Sequence, residues 1–455
     1  MYDLIIIGGG PGGYMAAERA GLAGLKVLLI EKRALGGVCL NEGCIPSKTL
    51  LHSAKVLDYA LHGEPYGVSA ENAKLDHKFV ISRKNKVVET LVNGVKALMK
   101  ANKVTVVYGE AYIVDNTHVK VGDEVFNGAR LLIATGSEPV IPRIEGVDEG
   151  IGLGFVLTSR EILDLEEVPE NLVVIGGGVV GLEMASYFNT AGSKVTVIEM
   201  LPKIAGTLDA EISALLMKSY ESKGIEFKLN TKVTSVQQDR GTVHLSCLNK
   251  TDEPSPCLAD KVLLSVGRKP LVDGFGLEGL GLVIENGAIK TGLHGLTSIP
   301  NVYAVGDVNG KFMLAHAAYR EAEVAVNHML GKRDIMRYDA VPSVIYTSPE
   351  VASVGETEES AKAQGIDYAA VTVPMMYSGR YVAENTATDG ICKVIIDKKH
   401  RNIIGVHLYG NYASEIIISA CMMIEMQMRI EEVQKFIFPH PTVSEILREA
   451  VFRLN

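Results

Sequence analysis

Two cysteines, Cys39 and Cys44, stand five positions apart in GGVCLNEGCIPSKT (36–49), and Lys48 follows in the next turn of chain. Only 6 Cys occur in 455 residues, so a close pair calls for a chemical account. Zinc would need two further Cys, His or carboxylate ligands, and none follows within the next several residues. GCIPSKT resembles a phosphate loop but lacks the second glycine before Lys48. Reversible thiol–disulfide exchange is the third reading, and chance spacing in a buried segment is the fourth. On a regular helix five residues advance ~7.5 Å and rotate side chains apart, whereas a disulfide needs its Cα atoms within about 7 Å. A closing pair therefore requires irregular backbone. Gly36, Gly37, Gly43 and Pro46 would permit it, with a helix starting near Pro46. Lys48 could then steady a neighbouring thiolate. Near the other end, FPHPTVSE carries His440 and Glu445. Taken alone, a His between two prolines reads as a turn residue.

Such groups need a scaffold, and the chain announces one twice. DLIIIG (3–8) is a short apolar run followed by glycines, a helical-looking GGYMAAERAGLAG and then KVLLIEK. Continuous apolar runs of this kind predict strands buried on both faces of a parallel sheet. The same strand–glycine turn–helix–strand order recurs at 171–200. Each copy holds a GxGxxG fingerprint: Gly8, Gly10 and Gly13 with Glu31 ending the next strand, then Gly176, Gly178 and Gly181 with Glu199 in the matching place. The glycines allow a tight turn, close approach of a pyrophosphate and helix–strand packing, while the acid accepts hydrogen bonds from ribose hydroxyls. Two dinucleotides are the implied ligands. A carboxylate at Glu199 with no Arg directly after it favours NAD over NADP, and Lys203 is expected to be solvated.

LLIATGSEP (131–139) and VLLSVGRKP (262–270) echo one another, and NVYAVGDV (301–308) adds a buried strand ending in Gly-Asp. After about residue 335 the texture changes. Residues 393–410 read as two strands joined by a charged turn and 414–427 as an amphipathic helix, together a separate α+β domain. Net charge is -9 with no long basic run, which argues against nucleic acid. No apolar stretch reaches a membrane span's ~18 to 20 residues, so no membrane association is expected. The N-terminus does not read as a secretory signal, and a reducing cytoplasm is the expected location. No metal site is expected.

GGVCLNEGCIPSK is similar to the active-site signature of the pyridine nucleotide–disulfide oxidoreductases with a five-residue cysteine spacing, and the likeness runs from DLIIIGGGPGG to HPTVSE. The resemblance implies an α/β fold with two Rossmann-like dinucleotide-binding domains, as in glutathione reductase, plus a C-terminal α+β dimerisation domain. Its expected divisions are 1–145 for the first part of the FAD-binding domain, 146–268 for NAD, 269–335 for the return to the FAD-binding part, and 336–455 for dimerisation. It implies tightly bound FAD at Gly8, Gly10, Gly13 and Glu31, with Ala111, Ala134, Thr135, Gly136, Asp307 and the stretch Met313, Leu314, Ala315, His316 also contributing. It implies NAD at Gly176, Gly178, Gly181 and Glu199, with Val233 and Gly267 nearby. Cys44 would face the flavin, Cys39 would exchange with substrate, and Lys48 would lie by the flavin paired with Glu183. His440 and Glu445 would act as acid–base dyad, contributed by the partner subunit of a homodimer. Within the family, Glu199 points to oxidation of dihydrolipoyl groups on a lipoyl-bearing carrier, in a 2-oxoacid dehydrogenase or glycine cleavage complex. The alternatives are an NAD(P)H-dependent reductase of another small disulfide and a complex-assembly flavoprotein subunit.

Two residues depart from the family pattern. Phe438 stands where many members have His, and Glu42 stands where an apolar residue is common, so Glu42 is expected to shift the thiols' pKa or potential. His118, His294, His328, His400 and His407 are expected at the surface or in turns. Cys247, Cys257, Cys392 and Cys421 are expected to have no role.

Overall fold

The computed structural model describes residues 1–386 and 389–454. The chain divides into two compact units, one of residues 1–49, 79–140 and 267–336, the other of 50–78, 141–266 and 337–455.

In the first unit, strands Leu4–Ile7, Val27–Glu31, Thr105–Tyr108, Leu131–Ile133 and Val302–Ala304 form one parallel sheet, with Leu4–Ile7 at its centre. Alternation along the strands feeds two cores. Leu4, Ile6, Leu29 and Leu132 pack under helices Pro11–Leu22 and Ala315–Met329, whose Ala16, Ala17, Ala20, Ala322 and Ala325 let the helices approach closely. Ile5, Ile7, Leu28, Ile30 and Ile133 face the other way, against Ala111, Ile113 and Val119 of a small antiparallel sheet. The two echoing segments meet directly, because Ser137–Pro139 pairs antiparallel with Arg268–Pro270.

The second unit holds the second parallel sheet, of Asn171–Ile175, Lys194–Ile198, Glu226–Lys228, Lys261–Leu264 and Val156–Leu157. An antiparallel sheet of Lys232–Asp239, Thr242–Leu248 and Cys257–Ala259 packs with it through a shared core. The C-terminal part is a five-stranded antiparallel sheet backed by helices Ala413–Glu425 and Glu445–Phe452. Its strands Ile391–Asp397 and Ile403–Tyr409 are the pair read from 393–410. Architecture and fold class are thus those expected.

One buried ion cluster joins parts of this unit. The Lys393 ammonium is 3% exposed and bonds both carboxylate oxygens of Asp209 at 3.0 Å, with Glu211 and Glu358 each at 2.9 Å. Asp209 also caps helix Ala210–Ser222 through the Glu211 and Ile212 amides. The histidine expectations need correction here. His407 is fully buried, because its strand is flanked on both sides by Val351–Gly355 and Ile391–Asp397; its Nε2–H donates to the Glu356 carbonyl at 2.8 Å. His294 and His328 are half-buried and stack at 4.5 Å. Among the described residues no helix is long and apolar enough to cross a membrane.

Candidate functional site

The first fingerprint builds a narrow turn. Gly8 has φ +102°, and a Cβ on Gly13 would come within 1.8 Å of the Gly8 carbonyl, so neither position admits a side chain. Helix Pro11–Leu22 opens at Gly10 with no side-chain cap, leaving its positive end to a ligand. Glu31, 8% exposed, accepts the Gly9 amide at 2.7 Å on one oxygen and the Arg33 amide at 2.7 Å on the other. Its carboxylate is thereby fixed at the mouth of the turn.

The second fingerprint repeats the construction. Gly176 has φ +105°, and a Cβ on Gly181 would lie 2.4 Å from the Gly176 carbonyl. Gly178 opens helix Val179–Ala191 without a side-chain cap, and Glu199 accepts the Gly177 amide at 2.7 Å and the Leu201 amide at 2.8 Å. Both cradles fit the adenosine and pyrophosphate of a dinucleotide: glycines where a Cβ would collide, uncapped helix ends for phosphate, and an anchored carboxylate for ribose. Lys203, partly exposed, donates its ammonium to the Leu208 carbonyl at 2.5 Å. Val233 is buried and paired with Cys247, and Gly267, φ +110°, turns the chain out of strand Lys261–Leu264.

The cysteine segment docks straight onto the first fingerprint. The Gly36 amide donates to the Gly9 carbonyl at 2.8 Å, and a Cβ on Gly37 would lie 2.5 Å from the Gly10 Cα. Short helix Gly37–Glu42 carries Cys39, Gly43 breaks it at φ -151° and ψ -108°, and helix Cys44–Leu61 begins at once. The irregularity expected of a closing pair is thus concentrated in Gly43, and the second helix starts two residues before Pro46. Cys39 and Cys44 face each other closely enough to share a hydrogen. That hydrogen bond, then burial, pushes the Cys39 thiol up, with the Lys48 ammonium pulling the other way. Two adjacent thiols resist double ionisation, so the pair gives up one proton far more readily than two.

The same unit holds the other residues read at the sequence level and two that were not. Asp307 follows Gly306, whose amide is held by buried Glu321 at 2.6 Å, and accepts the Ser137 hydroxyl at 2.5 Å. Thr135 donates to the Leu271 carbonyl at 2.9 Å, beside Gly136 at φ +73°. Ala111 begins a strand of the small antiparallel sheet. Met313 and Leu314 lead into helix Ala315–Met329, which opens without a side-chain cap and carries His316 in its first turn. The missed residues are Tyr14 and Tyr319, whose hydroxyls meet at 2.5 Å; burial, and the nearby cysteines to a lesser degree, push both phenols up. Tyr14 directly follows the third fingerprint glycine, a signal that could have been used. Glu42 is also explained: it pairs with the Arg33 guanidinium, tying the cysteine helix to the end of strand Val27–Glu31.

In the second unit, the His440 ring is 76% exposed and its Nδ1 lies 2.9 Å from Glu445 Oε1. Against slight desolvation, the Thr442 amide, His440 and Arg448 hold the Glu445 carboxyl below the usual range. Glu183, 3% exposed in helix Val179–Ala191, accepts the Tyr346 amide at 3.1 Å. Phe438 packs on the C-terminal core.

Residues 2–322 match the description "Pyridine nucleotide-disulphide oxidoreductase", and 341–451 match the dimerisation domain of the same group. The chain belongs to this family. As an oxidoreductase of this kind it has full-length relatives. It is 38% identical to the dihydrolipoyl dehydrogenase of Mycoplasma pneumoniae over 98% of this chain and 97% of the relative. It is 40% identical to the mitochondrial dihydrolipoyl dehydrogenase of Pisum sativum, over 98% of this chain and 90% of the relative. Among solved structures, the flavoprotein disulfide reductase RclA from Escherichia coli superposes with TM-score 0.87 at 28% identity, each chain fully covered. LpdA from Mycobacterium tuberculosis does so with TM-score 0.91 at 24% identity, over the whole of both chains, a likeness of fold.

Proposed function

We propose that the chain oxidises dihydrolipoyl groups with NAD as final acceptor, working as a homodimer with one FAD per subunit. The observation that carries the reading is the Cys39–Cys44 pair with its shared hydrogen, seated on a dinucleotide cradle beside Lys48. The second cradle, with Glu199 followed by Met200 and Leu201 rather than Arg, supports NAD. Residues Gly8, Gly10, Gly13, Glu31, Asp307 and the start of helix Ala315–Met329 would hold FAD.

The chemistry starts from the Cys39–Cys44 disulfide. His440 of the partner subunit takes the proton of one substrate thiol at Nε2, while Glu445 holds Nδ1–H and steadies the imidazolium. The substrate thiolate attacks Cys39 Sγ, the S–S bond breaks, and Cys44 leaves as thiolate, with the Lys48 ammonium favouring the anion. The second substrate sulfur then displaces Cys39 from the mixed disulfide. A cyclic disulfide departs; the second substrate thiol's proton passes to the Cys39 sulfur it displaces, while the first stays on His440 as imidazolium and Cys44 remains a thiolate. When bound, the flavin accepts the two electrons held by the dithiol and passes them as hydride to the nicotinamide. Lys48 would balance the charge on that side of Cys44. The physiological donor would be a lipoyl-bearing carrier, in a 2-oxoacid dehydrogenase or glycine cleavage complex.

The test is a steady-state assay with FAD-loaded protein, following NAD reduction by dihydrolipoamide and, in parallel, NADPH oxidation by glutathione disulfide. Turnover in the first is expected. A flat first trace with turnover in the second would overturn the reading in favour of a reductase of another small disulfide.

A further inference from the structure

We propose that Cys257, Cys247 and Lys228 form a second thiol site, remote in sequence from the first, where a peroxide oxidises Cys257 and Cys247 closes a reversible disulfide. Strand Cys257–Ala259 pairs antiparallel with Thr242–Leu248, and Cys257 lies opposite Leu245. Cys247 is two residues along from Leu245 and so on the same face of the sheet. The register is held there by the Ser255 amide, which donates to the Cys247 carbonyl at 2.9 Å. Both thiols are free, with the residues 3% and 9% exposed for Cys247 and Cys257.

Lys228 ends a strand of the nucleotide sheet and reaches this hairpin. Its ammonium donates to Ser255 Oγ at 3.3 Å and to the Pro256 carbonyl at 3.2 Å, the two residues just before Cys257. A fixed cation therefore stands beside one thiol of the pair and favours its anion. The hydrogen bond from Cys247, and then Lys228, hold the Cys257 thiol below its usual range, against burial and the Glu226 carboxylate; the shared hydrogen and burial push Cys247 up. The contacts divide the roles: Cys257, the more exposed thiol and the one directly after the residues that hold Lys228, is the nucleophile, and the more deeply buried Cys247 resolves. Cys392, 0% exposed, is pushed up by burial and offers no such anion.

The step balances with hydrogen peroxide as the two-electron oxidant. Cys257 thiolate attacks one peroxide oxygen, the O–O bond breaks, hydroxide leaves and takes up a proton, and Cys257 becomes a sulfenic acid. Cys247 then attacks that sulfur, the S–O bond breaks and water departs with the thiol's proton. Two thiols and one peroxide give one disulfide and two waters. Diagonal neighbours on antiparallel strands have Cα atoms about 7–8 Å apart, just beyond the ~7 Å disulfide limit. Cys257–Ala259 is a three-residue edge strand entered from the loop 249–256, so closure asks only a small shift of an edge.

The test maps disulfides in the wild-type holoenzyme, held oxidised with NAD and exposed to hydrogen peroxide at pH 7, then alkylated and digested without reduction. A linked Cys247–Cys257 peptide is expected, removed again by dithiothreitol, and forming at least about 10-fold faster than Cys392 or Cys421 is oxidised. Lys228→Met, with flavin absorbance confirming the fold, is expected to slow it by about 10-fold. Absence of the linked peptide, or an unchanged rate in Lys228→Met, would overturn the proposal.

Discussion

The Glu199 carboxylate offers the sharpest test of how the second cradle selects its nucleotide. Two amides at 2.7 and 2.8 Å pin both oxygens, so the group cannot swing away from an incoming 2′-phosphate. At about 4–6 Å and an effective dielectric near 20, each unit of like charge costs about 3–4 kcal/mol. Half-exposure and salt lower this to about 2–3 kcal/mol. Glu199→Gln removes the charge and keeps the size, so the NADP:NAD ratio of kcat/KM should rise roughly 30- to 100-fold. The lost hydrogen bond to the adenosine ribose should lower kcat/KM about 10-fold with either nucleotide and so cancel from the ratio. The assay is initial rates with dihydrolipoamide across a range of each nucleotide. Glu31→Gln, the matching change in the first cradle, should weaken flavin retention and leave the ratio alone. A ratio within about threefold of the parent in Glu199→Gln would refute the electrostatic argument.

His440→Gln should slow thiol exchange by at least about 100-fold while keeping the flavin absorbance; near-normal turnover would remove His440 from the mechanism. Lys393→Met strands the carboxylate of Asp209, 1% exposed, and should cost about 3–5 kcal/mol in urea unfolding; a loss below about 1 kcal/mol would mean water reaches the cluster. Burial pushes the His407 imidazole down, against the Glu356 carbonyl. The unfolded chain therefore binds a proton below about pH 6.5 that the folded chain refuses, so stability is full above that pH and falls below it, by at most about 1.4 kcal/mol per pH unit. His407→Gln should shrink the difference between unfolding midpoints at pH 5.5 and 7.5, and an equal difference in both proteins would assign the slope elsewhere.

The two cradles were legible in the residues because each glycine answers a local demand: a positive φ at Gly8 and Gly176, a carbonyl pressed against the missing Cβ at Gly13 and Gly181. The distortion between Cys39 and Cys44 was legible for the same reason, since helix geometry forbids the alternative. His440 and Glu445 were legible as a dyad only through family likeness; a His between prolines carries no such meaning by itself. What stayed hidden rests on pairings between distant positions. Tyr14 meets Tyr319, Lys393 gathers Asp209, Glu211 and Glu358, and Lys228 reaches across to the Cys257 hairpin. His407 was expected at the surface or in a turn, and only the central place of its strand in the sheet buries it. Glu42 was visible as odd, and its partner Arg33 was not.

The contact of Gly36 and Gly37 with Gly9 and Gly10 bears on how this protein could be re-engineered. Where Gly37 meets Gly10 backbone faces backbone, so repacking of side chains cannot make room for a change there. A foreign thiol loop inserted alone would meet the wrong backbone at a distance where nothing yields. The phosphate turn and the thiol segment therefore have to be exchanged between homologues together or left in place.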